Sequence, residues 1–220
     1  MKKIKLFDVI HKSTKRDYLS RMSKKKPAFM KLAKEYGYHY WDGSRETGYG
    51  GYKYIKNYWS KFVIKLIKKY RLDNNSHILD IGCGKGFLLY ELKNVLPKIN
   101  LTGIDISTYA IKKAPKTIKP YLKFGDARKK LKFGNKKFDL ALSMGCIHNL
   151  EIDKISLHLK EISRVSKNQY ILTESYRNNI EMFNLQCWAL TCETFFSVRE
   201  WEWFLKKNKY KGDYELIFFE

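Results

Sequence analysis

A chain of 220 residues with 44% hydrophobic and 15% aromatic content is long and apolar enough to bury a full core, which excludes a disordered segment. Four cysteines with no C-x-x-C pair exclude a disulfide scaffold and leave no metal site to expect. With no apolar run near the roughly 18 residues of a membrane span and no signal-length stretch in residues 1–10, the expectation is a reduced, cytoplasmic protein with no integral membrane segment. The net charge of +22 points toward nucleic acid, but 36 Lys against 8 Arg lacks the forked donors that phosphate recognition favours and equally reflects an AT-rich genome. The excess sits early: residues 1–76 carry +14, residues 77–170 carry +10 and residues 171–220 carry −2. The run Lys24-Lys25-Lys26, with Lys31 and Lys34, reads as a solvated face or an anion contact.

In chain order, Pro27 opens a helix over 27–36. Residues 41–53 are too glycine-rich for one and form a loop. Trp59, Phe62, Val63, Leu66, Ile67 and Tyr70 recur at helical spacing and predict a helix over 55–70, with Lys61, Lys65, Lys68 and Lys69 on its other face. From His77 short apolar runs alternate with helical patterns. Strands are expected at 77–81, 101–105, 121–124, 138–143, 170–173 and 214–219, with helices at 87–95, 107–114, 152–166 and 198–208. Residues 178–196 read as a long connection or a plain amphipathic helix. The alternation gives an α/β chain with a doubly wound, mostly parallel sheet. It divides into an N-terminal helical extension with a lid loop (1–70) and a sheet domain (71–220).

Between the first strand and its helix stands Asp80-Ile81-Gly82-Cys83-Gly84-Lys85-Gly86. Position 87 is Phe, so the dinucleotide fingerprint fails, and no Walker spacing is present. A strand-end acid before G-x-G-x-G suits a cationic or hydroxylated ligand rather than a pyrophosphate. Cys83 and Lys85 read as bystanders.

On these residues, with Leu101-Thr102-Gly103-Ile104-Asp105, Gly125-Asp126-Ala127 and Phe138-Asp139-Leu140-Ala141-Leu142-Ser143 following in order, residues 77–175 resemble the class I S-adenosylmethionine-dependent methyltransferases. The resemblance implies a seven-strand-type Rossmann-like sheet. It also implies a cofactor site of Asp80, Gly82, Gly84, Gly86, Asp105, Ile106, Asp126, Ala127 and Ser143. In it the glycines lie under the methionine and ribose, Asp105 takes the ribose hydroxyls, and Asp126 and Ala127 meet the adenine. Read alone, Asp105 is equally a cap for the helix that follows, and Asp126 a turn residue.

The loop Trp41-Asp42-Gly43-Ser44-Arg45-Glu46-Thr47-Gly48-Tyr49-Gly50-Gly51-Tyr52 resembles a narrower bacterial group of small methyltransferases, although Ile55-Lys56-Asn57-Tyr58-Trp59 departs from the Asp-Gly-Arg-Trp of that group. Such a loop can close over a ligand and expel water, with Arg45 binding an anionic group; otherwise it is a tight structural turn. His148, just after the fourth strand, is the best-placed base, or else a packing residue, with Tyr49 and Tyr52 as further acceptor contacts. Glu174 and Tyr176 follow the fifth strand at the edge where ligands bind in open α/β sheets, and Trp188 can wall the acceptor pocket.

Ser143-Met144-Gly145-Cys146 stands where base- and amide-methylating relatives carry Asn/Asp-Pro-Pro-Tyr/Phe, and Cys146 lacks the proline of a cytosine nucleophile. The expected function is methyl transfer from S-adenosylmethionine to a small molecule. The alternatives are an RNA methyltransferase using the basic N-terminal third and a non-catalytic cofactor-binding protein.

Overall fold

The computed structural model describes residues 1–7, 16–23 and 25–220; Lys24 of the basic run lies outside them. Sixteen elements place the site. The strands are β1 (Lys2–Lys3), β2 (His77–Ile81), β3 (Asn100–Asp105), β4 (Leu122–Phe124), β5 (Phe138–Met144), β6 (Ser166–Glu174) and β7 (Asp213–Ile217). The helices are α1 (Tyr18–Ser23), α2 (Lys26–Ala33), α3 (Tyr38–Trp41), α4 (Ser60–Tyr70), α5 (Phe87–Val95), α6 (Thr108–Lys112), α7 (Ile152–Val165), α8 (Asn179–Trp188) and α9 (Val198–Lys207).

The seven strands form one sheet in the order β1-β7-β6-β5-β2-β3-β4, and every pairing is parallel. The expectation of a mostly parallel sheet thus becomes an all-parallel one, because the seventh strand is Lys2–Lys3, laid along β7 with Lys2 opposite Asp213. Alternation along the strands divides the core between the two faces. Ile78, Leu140, Leu142, Tyr170 and Leu172 face α4 and α5, burying Phe62, Val63, Leu66, Leu89 and Leu92. Leu79, Ile81, Ala141, Ile171, Tyr214 and Leu216 face α7 and α9, burying Ile155, Leu159, Ile162, Trp201 and Leu205.

Several boundaries moved. The helix expected over 55–70 starts at Ser60, because Asn57 takes a positive φ of 64° in the turn before it. β6 extends back to Ser166, since polar Ser166–Gln169 pair through their backbones with β5 and carry little apolar signal. Residues 179–188 are helical, opened by Asn178 accepting from the Glu181 N–H. Lys26 is buried rather than solvated: its Nζ donates to the Gln186 and Cys187 carbonyls at the C-terminus of α8, where a cation is favoured. Lys34 pairs with Glu193 at 2.7 Å.

Strand order reverses between β2 and β5, which opens a crevice at their carboxyl ends. Register brings Ile81 beside both Ile104 and Ser143, Met144 beside Leu172, and Glu174 beside Ile217, so the residues after these strands gather at one edge. No described helix is long and apolar enough to cross a membrane.

Candidate active site

That edge holds a cavity of about 480 Å³, within the range of small-molecule pockets. Asp80, Gly82, Cys83 and Gly84 line it from β2 and its turn, Met144, Gly145 and His148 from the end of β5 and the segment after it, and Leu172 and Glu174 from β6. The opposite wall comes from the loop after α3, with Arg45, Gly48, Tyr49, Gly51 and Tyr52, and from Trp188 at the end of α8.

The loop is folded tightly onto α3. Tyr49 N–H donates to the Tyr40 carbonyl at 2.8 Å, and Tyr52 N–H to the Trp41 carbonyl at 2.8 Å. Gly48 permits this approach, because a Cβ there would stand 2.0 Å from the Tyr40 oxygen. The rings of Trp41 and Tyr49 stack at 5.4 Å, and Tyr49, Tyr52 and Phe87 continue the row at 4.5 and 5.0 Å. Lys85, read from sequence as a bystander, fastens the loop to the glycine turn. Its buried Nζ donates to Asp42 Oδ1 at 2.6 Å, Asp42 Oδ2 at 2.8 Å and the Tyr52 carbonyl at 2.7 Å. Arg45 Nη1 donates to the Gly48 and Tyr49 carbonyls and closes the turn from within.

Beneath the loop, Gly84 has φ +55° and bare backbone against the Trp41 indole; a Cβ would meet its Cη2 at 2.6 Å. The Trp41 Nε1–H donates to Ser107 Oγ at 2.9 Å and to the Tyr36 carbonyl at 3.1 Å. Asp80 is buried at the cavity wall and its Oδ1 has no hydrogen-bond partner among the described residues. Burial, reinforced by the nearby Asp105 carboxylate, pushes its pKa up to about 7.

His148 sits on a 3-10 turn (Ile147–Asn149) and is buried. Its Nδ1 accepts from the Glu174 N–H at 3.5 Å and lies 3.3 Å from Thr173 Oγ1, while Nε2 lies 3.5 Å from Glu174 Oε2. An accepting Nδ1 leaves the ring proton on Nε2, facing the carboxylate. Desolvation raises Tyr49 and Tyr52 above the usual phenol value, so both hydroxyls stay protonated.

Of the residues expected at the site, Asp80, Gly82, Gly84, Arg45, Tyr49, Tyr52, His148, Glu174 and Trp188 share this cavity. The others lie off it. Asp105 accepts from Gly84 N–H and Ser107 N–H, both at 2.7 Å, and Ser107 in turn caps α6. Asp126 is held by Arg128 at 2.9 and 3.0 Å. Ser143 is fully buried with its Oγ 3.0 Å from His158 Nε2, and Ala127 packs into the core beside it. Ile106 is half-buried beyond the cavity wall. Gly86 lies under Ile118 and Leu122. Tyr176 faces away, its hydroxyl 3.4 Å from Glu200, because the bridge to Ser197 carries the chain onto α9. Arg16, Arg21, Tyr58 and Asn149 also line the cavity without having been expected there; the arginines lie far from any recognisable motif. Among the described residues no group of His, Cys, Asp and Glu could hold a metal ion.

Residues 78–169 match the family model described as a methyltransferase domain. Among curated relatives, the chain is 46% identical over 43 residues to ribosomal RNA small subunit methyltransferase C of Aliivibrio salmonicida, covering 20% of this chain and 13% of that one. It is 32% identical over 128 residues to the uncharacterized protein MJ1252 of Methanocaldococcus jannaschii, covering 57% and 47%. The matches thus span half or less of each relative's length. Among solved structures, a chain of the complex between the Haloferax volcanii Trm112 methyltransferase activator and a methyltransferase superposes with a TM-score of 0.55 at 21% identity, covering 68% of this chain and 67% of that one. At that identity the likeness concerns the fold. Residues 78–169 thus match a methyltransferase domain, in a chain whose Rossmann-like fold is shared with solved methyltransferase structures.

Proposed function

We propose that the protein transfers a methyl group from S-adenosylmethionine to a small-molecule acceptor in the cavity at the β2–β5 crevice. The observation that carries this reading is the buried, unpartnered Asp80 oxygen beside a strip of bare glycine backbone. An orphaned carboxylate suits the cofactor's ammonium group, and the glycines admit a ligand against the main chain. Asp80, Gly82 and Gly84 would hold the methionine end. Asp105 and Asp126 would hold the adenosine end: each carboxylate oxygen has lone-pair capacity beyond the bonds it accepts here. Trp41 stands on Gly84, so entry requires the loop to swing away and return.

When bound, the cofactor would supply an electrophilic methyl group on a sulfonium sulfur, open to direct displacement by an acceptor's lone pair with the sulfur as a neutral leaving group. The chain's own part is alignment and exclusion of water, by the stacked Trp41, Tyr49 and Tyr52. Glu174 takes the acceptor's proton where one is released. His148, with its proton on Nε2, positions that carboxylate rather than acting as the base itself.

Lys53 is the one lysine among the described residues of the wall, although the chain has 36. The positive charge lies mostly elsewhere, as along the solvent face of α4, which favours a small acceptor over RNA. Calorimetric titration with S-adenosylhomocysteine tests the cofactor assignment. Saturable one-to-one binding is expected, and its absence overturns the reading.

A further inference from the structure

The methyl-transfer reading leaves the acceptor's chemistry open, and the mouth of the cavity narrows it. Arg16, Arg21 and Arg45 converge on Trp188, their guanidinium carbons 5.4, 4.4 and 4.9 Å from its ring centroid. Arg21 and Arg45 are close enough to repel. Burial first, and then the Arg45 charge, bring Arg21 down to about 10, and it remains a cation at neutral pH.

Neither Arg21 nor Arg45 forms an ion pair among the described residues. Arg128, Arg164 and Arg177, by contrast, each grip a carboxylate. Arg21 donates through Nε to the Trp188 carbonyl at 2.8 Å and through Nη1 to the Arg45 carbonyl at 2.7 Å. Arg45 uses only Nη1, on Gly48 and Tyr49. A guanidinium carries five N–H donors, so the Nη2 donors of both residues remain unused among the described residues, on side chains that line the cavity. Fastening the loop explains one nitrogen of Arg45. It does not explain two like charges held together with no carboxylate between them. An oxyanion would relieve the repulsion and match the fork geometry of both groups.

We propose that the acceptor is a small acid whose oxyanionic group, a carboxylate or a phosphate, docks on Arg21 and Arg45 at the mouth, while its nucleophilic atom faces Glu174 and His148 further in. The identity of the occupant as methyl acceptor rests on the proposed function; the anion site itself does not.

The test uses the full chain and three probes of one shape, benzoate, phenyl phosphate and neutral benzyl alcohol, titrated calorimetrically with and without S-adenosylhomocysteine. At least one anion is expected to bind tenfold or more tightly than the alcohol, and comparison of the two anions tells carboxylate from phosphate. Arg21→Gln and Arg45→Gln should each remove that preference, with benzyl alcohol binding unchanged. Because Arg45 also closes the loop, melting and S-adenosylhomocysteine binding are followed in both variants, and Arg21→Gln decides where Arg45→Gln unfolds. No preference for either anion, or a preference that survives Arg21→Gln, overturns the proposal. If the anion preference holds while S-adenosylhomocysteine fails to bind, the cofactor reading falls and the anion site stands. The reverse pattern removes the anion site alone.

Discussion

Lys85→Met tests whether the loop over the cavity is a lid held by one buried cation. Lys85 is 5% exposed and joins Asp42 and the Tyr52 carbonyl through three hydrogen bonds. Methionine keeps the length of the stem and removes the charge. Breaking a buried charge pair by deleting one partner costs about 3–5 kcal/mol. The Asp42 side chain is 22% exposed and also accepts from the Tyr109 hydroxyl at 3.0 Å, so water and Tyr109 recover part of this, leaving about 2–3 kcal/mol. The loss should fall on loop opening rather than global unfolding, since among the described residues the backbone N–H bonds of 42–52 run to α3 or stay within the loop. Converted at 1.36 kcal/mol per tenfold, amide exchange in residues 41–53 should quicken by roughly 30- to 150-fold while β2, β5 and β6 keep their protection. Hydrogen-exchange mass spectrometry reads both regions at once. Exchange in 41–53 within threefold of wild type would refute the fastening role, and an equal loss across the strands would make Lys85 a core residue rather than a lid fastener.

The pH dependence of the loop's fastening follows from Asp42. Burial raises its pKa, but the hydrogen bonds from Lys85 and Tyr109 outweigh this and hold it below the usual carboxylate value. The fastening is therefore complete above the unfolded value, about 3.9, and is lost as pH falls through the lower folded one, read as quickened exchange in 41–53. Asp80 runs the other way. With its pKa near 7 in the free protein, an incoming ammonium must displace its proton, so S-adenosylhomocysteine affinity should rise with pH up to about 7 and level off above; Asp80→Asn should flatten that profile. Glu174→Gln should lower kcat at least tenfold with cofactor affinity near wild type, whereas His148→Gln should shift the pH profile of kcat and lower it less; equal losses in both would restore His148 as the base. Asp105→Ala should weaken cofactor binding and also loosen the turn, because it strips acceptors from Gly84 N–H and Ser107 N–H; unchanged affinity would make Asp105 purely structural.

The β2–β6 core was legible because its signal is local. Alternating apolar residues in β2 and β5 and helical spacing in α4 and α7 record burial directly in the sequence. β1 was not legible: two lysines pair through their backbones alone, and nothing apolar marks them. Asp80, His148 and Glu174 line the cavity because the carboxyl edge of a parallel sheet fixes where residues at and just after its strand ends lie. Lys85 was misread because a lysine among glycines gives no sign of the carboxylate 43 positions away that buries it. Arg21 reaches the cavity only through the docking of α1 beside α8, a tertiary event with no motif of its own. Asp105 and Asp126 keep their expected places at strand ends, yet each is engaged by its neighbours, so their placement was readable and their partners were not.

Methyl transfer is read by incubating the purified protein with S-adenosylmethionine labelled on the methyl carbon and a cell extract separated by size and nuclease sensitivity. Label is expected in the low-mass fraction, dependent on Glu174 and retained after nuclease treatment. Label confined to nuclease-sensitive material would contradict it in favour of RNA, and no transfer to any fraction by a chain that binds S-adenosylhomocysteine would contradict catalysis itself.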